Sequence, residues 1–166
     1  MRTARTKLHL MSDAKRSPVM GGGCQCGAVR YTLASEPTEP SICHCRMCQK
    51  AFGNYFAPLA GVPLKDLSWT RGMPGVFRSS EAVERGFCRD CGTPLFYRVL
   101  GKDRISVSLG SLDEPRRVRP VIQYGVESRV FPLEELARLS EETTEEGTAP
   151  ELLARMSVSH QHPDRE

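Results

Sequence analysis

Seven cysteines in three tight groups constrain this 166-residue chain more than any other feature. The groups follow the patterns C-x-C, C-x-C-x-x-C and C-x-x-C, and their members are Cys24 and Cys26, then Cys43, Cys45 and Cys48, then Cys88 and Cys91. An odd number of cysteines fits poorly with complete disulfide pairing. Core thiols would be scattered along strand patterns instead of grouped. The spacing therefore indicates metal ligation, and zinc is the first candidate for thiolate sets.

The first twenty residues contain five basic residues and one acidic residue, without the apolar segment that a secretory signal requires. We therefore expect a cytoplasmic protein whose thiols stay reduced, because disulfides are rare in that compartment. No apolar run approaches the roughly 20 residues of a membrane-spanning helix. A membrane is therefore not an expected partner.

The seven thiols divide into a complete ligand set of four and an incomplete set of three. A structural zinc takes four protein ligands, whereas a catalytic zinc keeps one position for water or substrate. The two outer groups are each followed by a glycine, which lets the backbone curl around a metal, so they predict the structural site. This four-cysteine set consists of Cys24, Cys26, Cys88 and Cys91.

The middle group predicts a second zinc site with an open position. This triplet consists of the predicted catalytic residues Cys43, Cys45 and Cys48. His44 lies between two of these ligands, so its side chain should point away from a metal that they share. Three thiolates on Zn²⁺ leave one net negative charge, and a thiolate substrate would add another. The nearby Arg46 and Lys50 are the candidate substrate-binding cations.

The sequence is also compatible with interpretations of this loop that involve no catalysis. The triplet could hold a second structural metal, so that all seven thiols serve the fold. Arg46 and Lys50 could be ordinary solvated surface charges, and this interpretation suits Lys50 better than Arg46.

Short alternating apolar segments separated by glycine and proline predict a mainly β fold. The 14 glycines, 12 prolines and 7% aromatic residues argue against a helical bundle. Helices are expected near the C-terminus, at LEELARL after Pro132 and at 149–156, and residues 43–52 are expected to form a short polar turn or helical stretch. The predicted strands lie at 27–34, 55–62, 67–70, 75–79, 82–87, 93–100, 104–109 and 120–130.

Periodicity and charge divide the chain into three parts. Residues 1–19 lack periodicity and are predicted to be a disordered extension, residues 20–132 form one zinc domain, and residues 133–166 form an acidic, partly helical tail. The dense basic group at 116–119 has no interleaved aromatic residues, so nucleic acid is not an expected partner.

Four segments resemble, in order and spacing, the glutathione-dependent formaldehyde-activating enzyme family, also called the centromere protein V-like family. They span roughly residues 20–130 and are GGGCQCGAVRY, CHCRMCQKAFGNYFAP, FCRDCGTPLFYR and SVSLGSLDEP. The resemblance implies a β-tent fold, built from short antiparallel sheets around zinc. It also implies two zinc ions per chain, a structural ion on the four-cysteine set and a catalytic ion on the triplet.

The activity that the resemblance implies is formation and cleavage of the carbon–sulfur bond between formaldehyde and glutathione. We therefore expect a zinc-dependent carbon–sulfur lyase whose substrate is a thiol–aldehyde adduct, with S-hydroxymethylglutathione as the leading candidate. The alternative is a non-enzymatic zinc module that binds a thiol, a protein or chromatin. The chain departs from the family after the last strand, where GVESRVFPLEEL contains Phe131 but no tryptophan.

Overall fold

The computed structural model describes residues 18–164, and within them the chain forms ten short strands and two short α-helices. Residues 1–17 of the predicted extension at 1–19 lie outside the described residues. The strands are β1 (Met20–Gly23), β2 (Arg30–Leu33), β3 (Thr38–Cys43), β4 (Ala57–Pro63), β5 (Leu67–Arg71), β6 (Gly75–Ser80), β7 (Val83–Phe87), β8 (Pro94–Val99), β9 (Arg104–Ser108) and β10 (Ile122–Tyr124). The helices are α1 (Arg46–Phe52) and α2 (Pro150–Met156), and a 3-10 helix at Leu133–Arg138 precedes α2.

The strands form two sheets. The smaller sheet has the antiparallel order β1-β2-β5, and the larger has the order β10-β3-β4-β9-β8-β7-β6. Neighbours in the larger sheet are antiparallel except β10, which pairs with β3 in parallel. The predicted mainly β architecture with peripheral C-terminal helices is therefore confirmed. No helix in the described part of the chain is both long and apolar enough to cross a membrane.

Aromatic side chains from the two sheets meet in the main hydrophobic core. The ring of Tyr31 in β2 packs edge-on against Trp69 in β5, with 5.7 Å between the ring centroids. Trp69 in turn lies 6.1 Å from Phe96 in β8, which belongs to the larger sheet. The buried Tyr31 hydroxyl forms a 2.8 Å hydrogen bond with the Ser111 hydroxyl, which removes the cost of burying it unpaired. The core thus holds the smaller sheet against the larger one.

Two strands differ from the sequence prediction. The segment MGGG that forms β1 has a single apolar side chain, so no alternation marks it as a strand. Strand β3 contains Pro40, which the sequence pattern indicates as the end of a strand. The register between β3 and β4 shifts between Thr38 and Ser41, and Glu39 has φ +51°, so an irregularity in the ladder accommodates the proline.

Gly86 provides a test of the packing between β7 and β8. It pairs with Phe96, and a Cβ atom at Gly86 would lie 2.0 Å from Phe96 Cε1. Gly86→Ala must therefore displace this ring, and we expect it to lower the free energy of unfolding by about 1–3 kcal/mol. Denaturant unfolding measures the change. The matched control is Gly110→Ala, because a Cβ there meets no heavy atom within 4 Å, and equal effects of both substitutions would contradict this packing.

Candidate metal centres

The loop after β1 and the hairpin between β7 and β8 bring the four-cysteine set together. All four Sγ atoms lie within 4.8 Å of one another. The Sγ atoms of Cys24 and Cys26 are 3.6 Å apart, and those of Cys26 and Cys88 are 3.8 Å apart. Sulfurs held about 2.3 Å from a tetrahedral zinc would be separated by about 3.8 Å, so this set fits a zinc ion.

Each half of this site is a tight turn closed by a glycine. Gly27 has φ +76° and donates its N–H to the Cys24 carbonyl at 3.1 Å, while Gly92 has φ +78° and donates to the Cys88 carbonyl at 3.0 Å. A side chain with a Cβ rarely adopts this left-handed conformation. The N–H of Val29 also donates to Cys24 Sγ at 3.2 Å, so backbone donors already face the sulfur.

Thr93 joins the two turns of the four-cysteine set. Its hydroxyl accepts a hydrogen bond from the Gln25 N–H at 3.0 Å and donates to Cys91 Sγ at 3.2 Å. Burial raises the pKa of Cys91, but the hydrogen bonds from Thr93 outweigh it, together with those from Cys26, and the pKa falls to about 6. The Ala28 N–H lowers the pKa of Cys26, but the neighbouring thiols and burial raise it to about 12. The pKa values of Cys91 and Cys26 are thus shifted in opposite directions, and a bound cation would favour the thiolate form of both.

The triplet is built by one short segment of chain. Cys43 ends β3, Cys45 precedes the first residue of α1, and Cys48 lies in its first turn. Their Sγ atoms lie within 4.8 Å of one another, with 3.5 Å between Cys43 and Cys45. Within residues 18–164, no fourth histidine, cysteine or carboxylate has a ligand atom equally close to all three. The triplet therefore fits a metal ion that keeps one position open.

The surroundings of the triplet shift the pKa values of its three thiols in different directions. Burial raises the pKa of Cys43 to about 12. Burial also raises the pKa of Cys48, and this effect outweighs the hydrogen bond from Arg85. At Cys45 hydrogen bonds from Cys48 outweigh burial and lower the pKa. As in the four-cysteine set, simultaneous ionisation requires a cation at the centre.

Arg85 is the cation that contacts the triplet, and sequence reasoning missed it. Its Nη2 donates to Cys48 Sγ at 3.4 Å, and its guanidinium lies 5.0 Å from the centroid of the Tyr97 ring. Arg85 lies in the middle of β7 on the same face as the buried Val83. A charged residue at an apolar position of a strand is the signal that could have drawn attention to it.

Arg46 and Lys50 lie on the exposed surface of α1 and line two cavities. The cavity of about 760 Å³ also contains Tyr55, and the cavity of about 410 Å³ also contains Phe77 and Arg85. Arg46 donates to the Gln49 side chain at 3.1 Å instead of to a sulfur. Both cations thus lie on the helix that carries Cys48, but none of the three cysteines lines either cavity.

His44 is 1% exposed and lies outside the triplet. Its Nε2 donates to the Gln123 side-chain oxygen at 2.9 Å, and its ring packs edge-on against Phe56. The Gln49 side-chain amide donates to the His44 carbonyl at 2.7 Å and to the Ser128 carbonyl at 2.9 Å. These contacts anchor the loop to the chain around β10, as expected for a side chain that points away from the three sulfurs.

Residues 19–128 match the family model described as glutathione-dependent formaldehyde-activating enzyme. The chain belongs to this family. A Phaeosphaeria nodorum protein that carries the family's name is 30% identical over 138 residues, which cover 75% of this chain and 70% of that protein. A Penicillium rubens protein of the same name is 31% identical over 102 residues, covering 55% of this chain and 53% of its own length.

Two further proteins are similar to parts of the chain. An uncharacterized lyase of Schizosaccharomyces pombe is 30% identical over 80 residues, 48% of this chain and 58% of its own length. A Rhodobacter sphaeroides protein of known crystal structure superposes with a TM-score of 0.52 at 25% identity, covering 63% of this chain and 99% of that chain. The family resemblance seen in the sequence is confirmed, and it supports a role in glutathione-related formaldehyde or lyase chemistry.

Substitution of one cysteine in each group tests the division into two sites. Cys91→Ala should remove a ligand that joins distant strands and lower the free energy of unfolding by at least about 3 kcal/mol, because structural zinc is coupled to folding. Cys48→Ser should lose one zinc ion, since a hydroxyl is a poor zinc ligand, and its destabilisation should be less than half as large. Denaturant unfolding and metal analysis measure both quantities.

Two results would contradict this division. A Cys91→Ala protein with wild-type stability would show that the four-cysteine set does not hold the fold together. A Cys48→Ser protein that unfolds would show that the triplet is itself structural.

Proposed function

We propose that the protein is a zinc-dependent carbon–sulfur lyase that acts on a thiol–aldehyde adduct, with S-hydroxymethylglutathione as its substrate. The observation that carries this proposal is the triplet, which offers three convergent sulfurs and no fourth protein ligand among the described residues. Family membership supports glutathione and formaldehyde as the reactants.

In this proposal the Sγ atoms of Cys43, Cys45 and Cys48 hold the catalytic zinc. A bound zinc with three thiolate ligands supplies a soft Lewis acid that favours sulfur in its open position. The four-cysteine set holds a second, structural zinc, so that each chain carries two ions.

The chain's own residues bind and orient the adduct. Arg46 and Lys50 line both cavities beside α1 and would bind the carboxylates of glutathione, while the apolar Met47 and Phe77 line the smaller cavity. In the lyase direction the carbon–sulfur bond breaks, its electron pair stays on the glutathione sulfur, and the hydroxyl proton leaves to solvent as formaldehyde forms. Holding the adduct with its sulfur towards the triplet lowers the entropic part of the barrier.

The domain boundaries and the compartment belong to the same proposal. Residues 20–132 form the zinc domain and residues 133–166 form an acidic tail. A reducing cytoplasm keeps both glutathione and the seven cysteines as thiols.

A second candidate function is a non-enzymatic zinc module that binds a partner protein. The observation that favours it is a run of exposed apolar side chains on and around the edge strand β10. Val121 is 77% exposed, Tyr124 is 50% exposed and Val130 is 58% exposed. Exposed apolar patches on edge strands often mark interaction sites.

An exchange measurement distinguishes the two functions. We expect micromolar zinc-loaded protein to accelerate exchange between free formaldehyde and S-hydroxymethylglutathione by at least about tenfold, which corresponds to about 1.4 kcal/mol of barrier. Exchange spectroscopy with ¹³C-formaldehyde measures the rate directly. Cys48→Ser is the matched variant and should abolish the acceleration. A wild-type protein that carries both zinc ions and leaves the rate unchanged would contradict the lyase and favour the binding module.

A further inference from the structure

Arg85 is a buried cation that has no carboxylate partner within the described part of the chain. Its side chain is 6% exposed, and its Nε donates to the Ser79 hydroxyl at 3.2 Å. Its Nη1 is buried without a hydrogen-bond partner among the described residues. The neighbouring acid in the chain, Glu84, forms an ion pair with Arg98 at 3.2 Å. In residues 18–164 no carboxylate pairs with Arg85, and its Nη2 donates to Cys48 Sγ at 3.4 Å.

A guanidinium buried without an anion is strongly unfavourable, so buried charges in proteins are paired. The sulfur of Cys48 can provide the required charge as a thiolate. Three thiolates around a divalent metal carry one net negative charge, which is the charge that a single guanidinium balances. Arg85 and a metal-loaded triplet together form a neutral unit in the interior.

We propose that Arg85 is the positioning residue that balances the charge of this centre and so sets its affinity for an anionic thiol in the open position. Without Arg85, adding a thiolate ligand would raise the net charge of the unit from one negative charge to two. With Arg85 the complex carries one. The exposed Arg46 and Lys50 are screened by solvent and contribute less to this balance.

The inference rests on the proposed function in one respect, because it requires a metal on the triplet with a position open to a thiol. It assigns the role of charge compensation to a strand residue of the larger sheet instead of to the loop cations that the sequence indicates. The stacking of Arg85 on Tyr97 and its bond to Ser79 hold the guanidinium in place when the ligand enters.

The test uses the cobalt-substituted protein, whose sulfur-to-cobalt charge-transfer absorption reports on thiolate ligands. The probe is 2-mercaptoethanol, titrated into wild type, Arg85→Gln, Arg85→Lys and the control Arg98→Gln. Arg98 lies in the neighbouring strand β8 and pairs with Glu84 instead of a sulfur.

We expect Arg85→Gln to weaken thiol binding by about tenfold or more, because it removes a bond between charged groups. Arg85→Lys keeps the positive charge, so its thiol affinity should stay within about threefold of wild type. The control Arg98→Gln should bind the thiol with wild-type affinity.

The possible outcomes distinguish the role of Arg85 from the lyase proposal. If wild type binds cobalt at both sites but does not respond to the thiol, the open position and the lyase proposal fail. If wild type responds and a folded Arg85→Gln responds with equal affinity, the role of Arg85 is overturned and the lyase proposal stands. If Arg85→Gln does not fold, Arg85→Lys decides, because retained affinity supports charge compensation and a tenfold loss overturns it.

Discussion

The four-cysteine set joins the two sheets, and the rest of the structure depends on this connection. Cys24 and Cys26 belong to the loop between β1 and β2 of the smaller sheet, whereas Cys88 and Cys91 belong to a hairpin of the larger sheet. Ten strands of three to seven residues bury a modest core, so a metal bound by this set would contribute directly to folding. The aromatic contact between Trp69 and Phe96 also spans the two sheets.

The triplet has a different relation to the fold. Its three sulfurs come from six consecutive residues at the end of β3 and the start of α1, so a metal there joins no distant strands. The site can therefore keep an open position without loss of the overall architecture. The larger sheet contributes the guanidinium of Arg85, which lies 37 residues from Cys48 along the chain. Under our proposals the outer cysteines provide stability and the inner ones provide chemistry.

Local patterns explain which features could be predicted from the sequence. The spacing of the cysteines and the glycines at 27 and 92 act over a few residues, and the structure groups the seven sulfurs into the same sets of four and three. Alternation likewise indicated strands such as β9. Strand β1 was missed because glycines carry no side-chain pattern. Strand β3 was missed because Pro40 indicates the end of a strand in the sequence, whereas in the structure the strand contains Pro40 and pairs with β4 and β10. Arg85 was missed because its contact with Cys48 depends on tertiary structure.

The central claim is that each chain binds two metal ions of unequal accessibility. Native mass spectrometry of the zinc-loaded protein during slow addition of a chelator measures this directly. We expect two zinc ions per chain, with the triplet's ion removed first while the protein stays folded, and the second ion removed together with unfolding. A chain that binds a single zinc, or that loses both ions in one step, would contradict it.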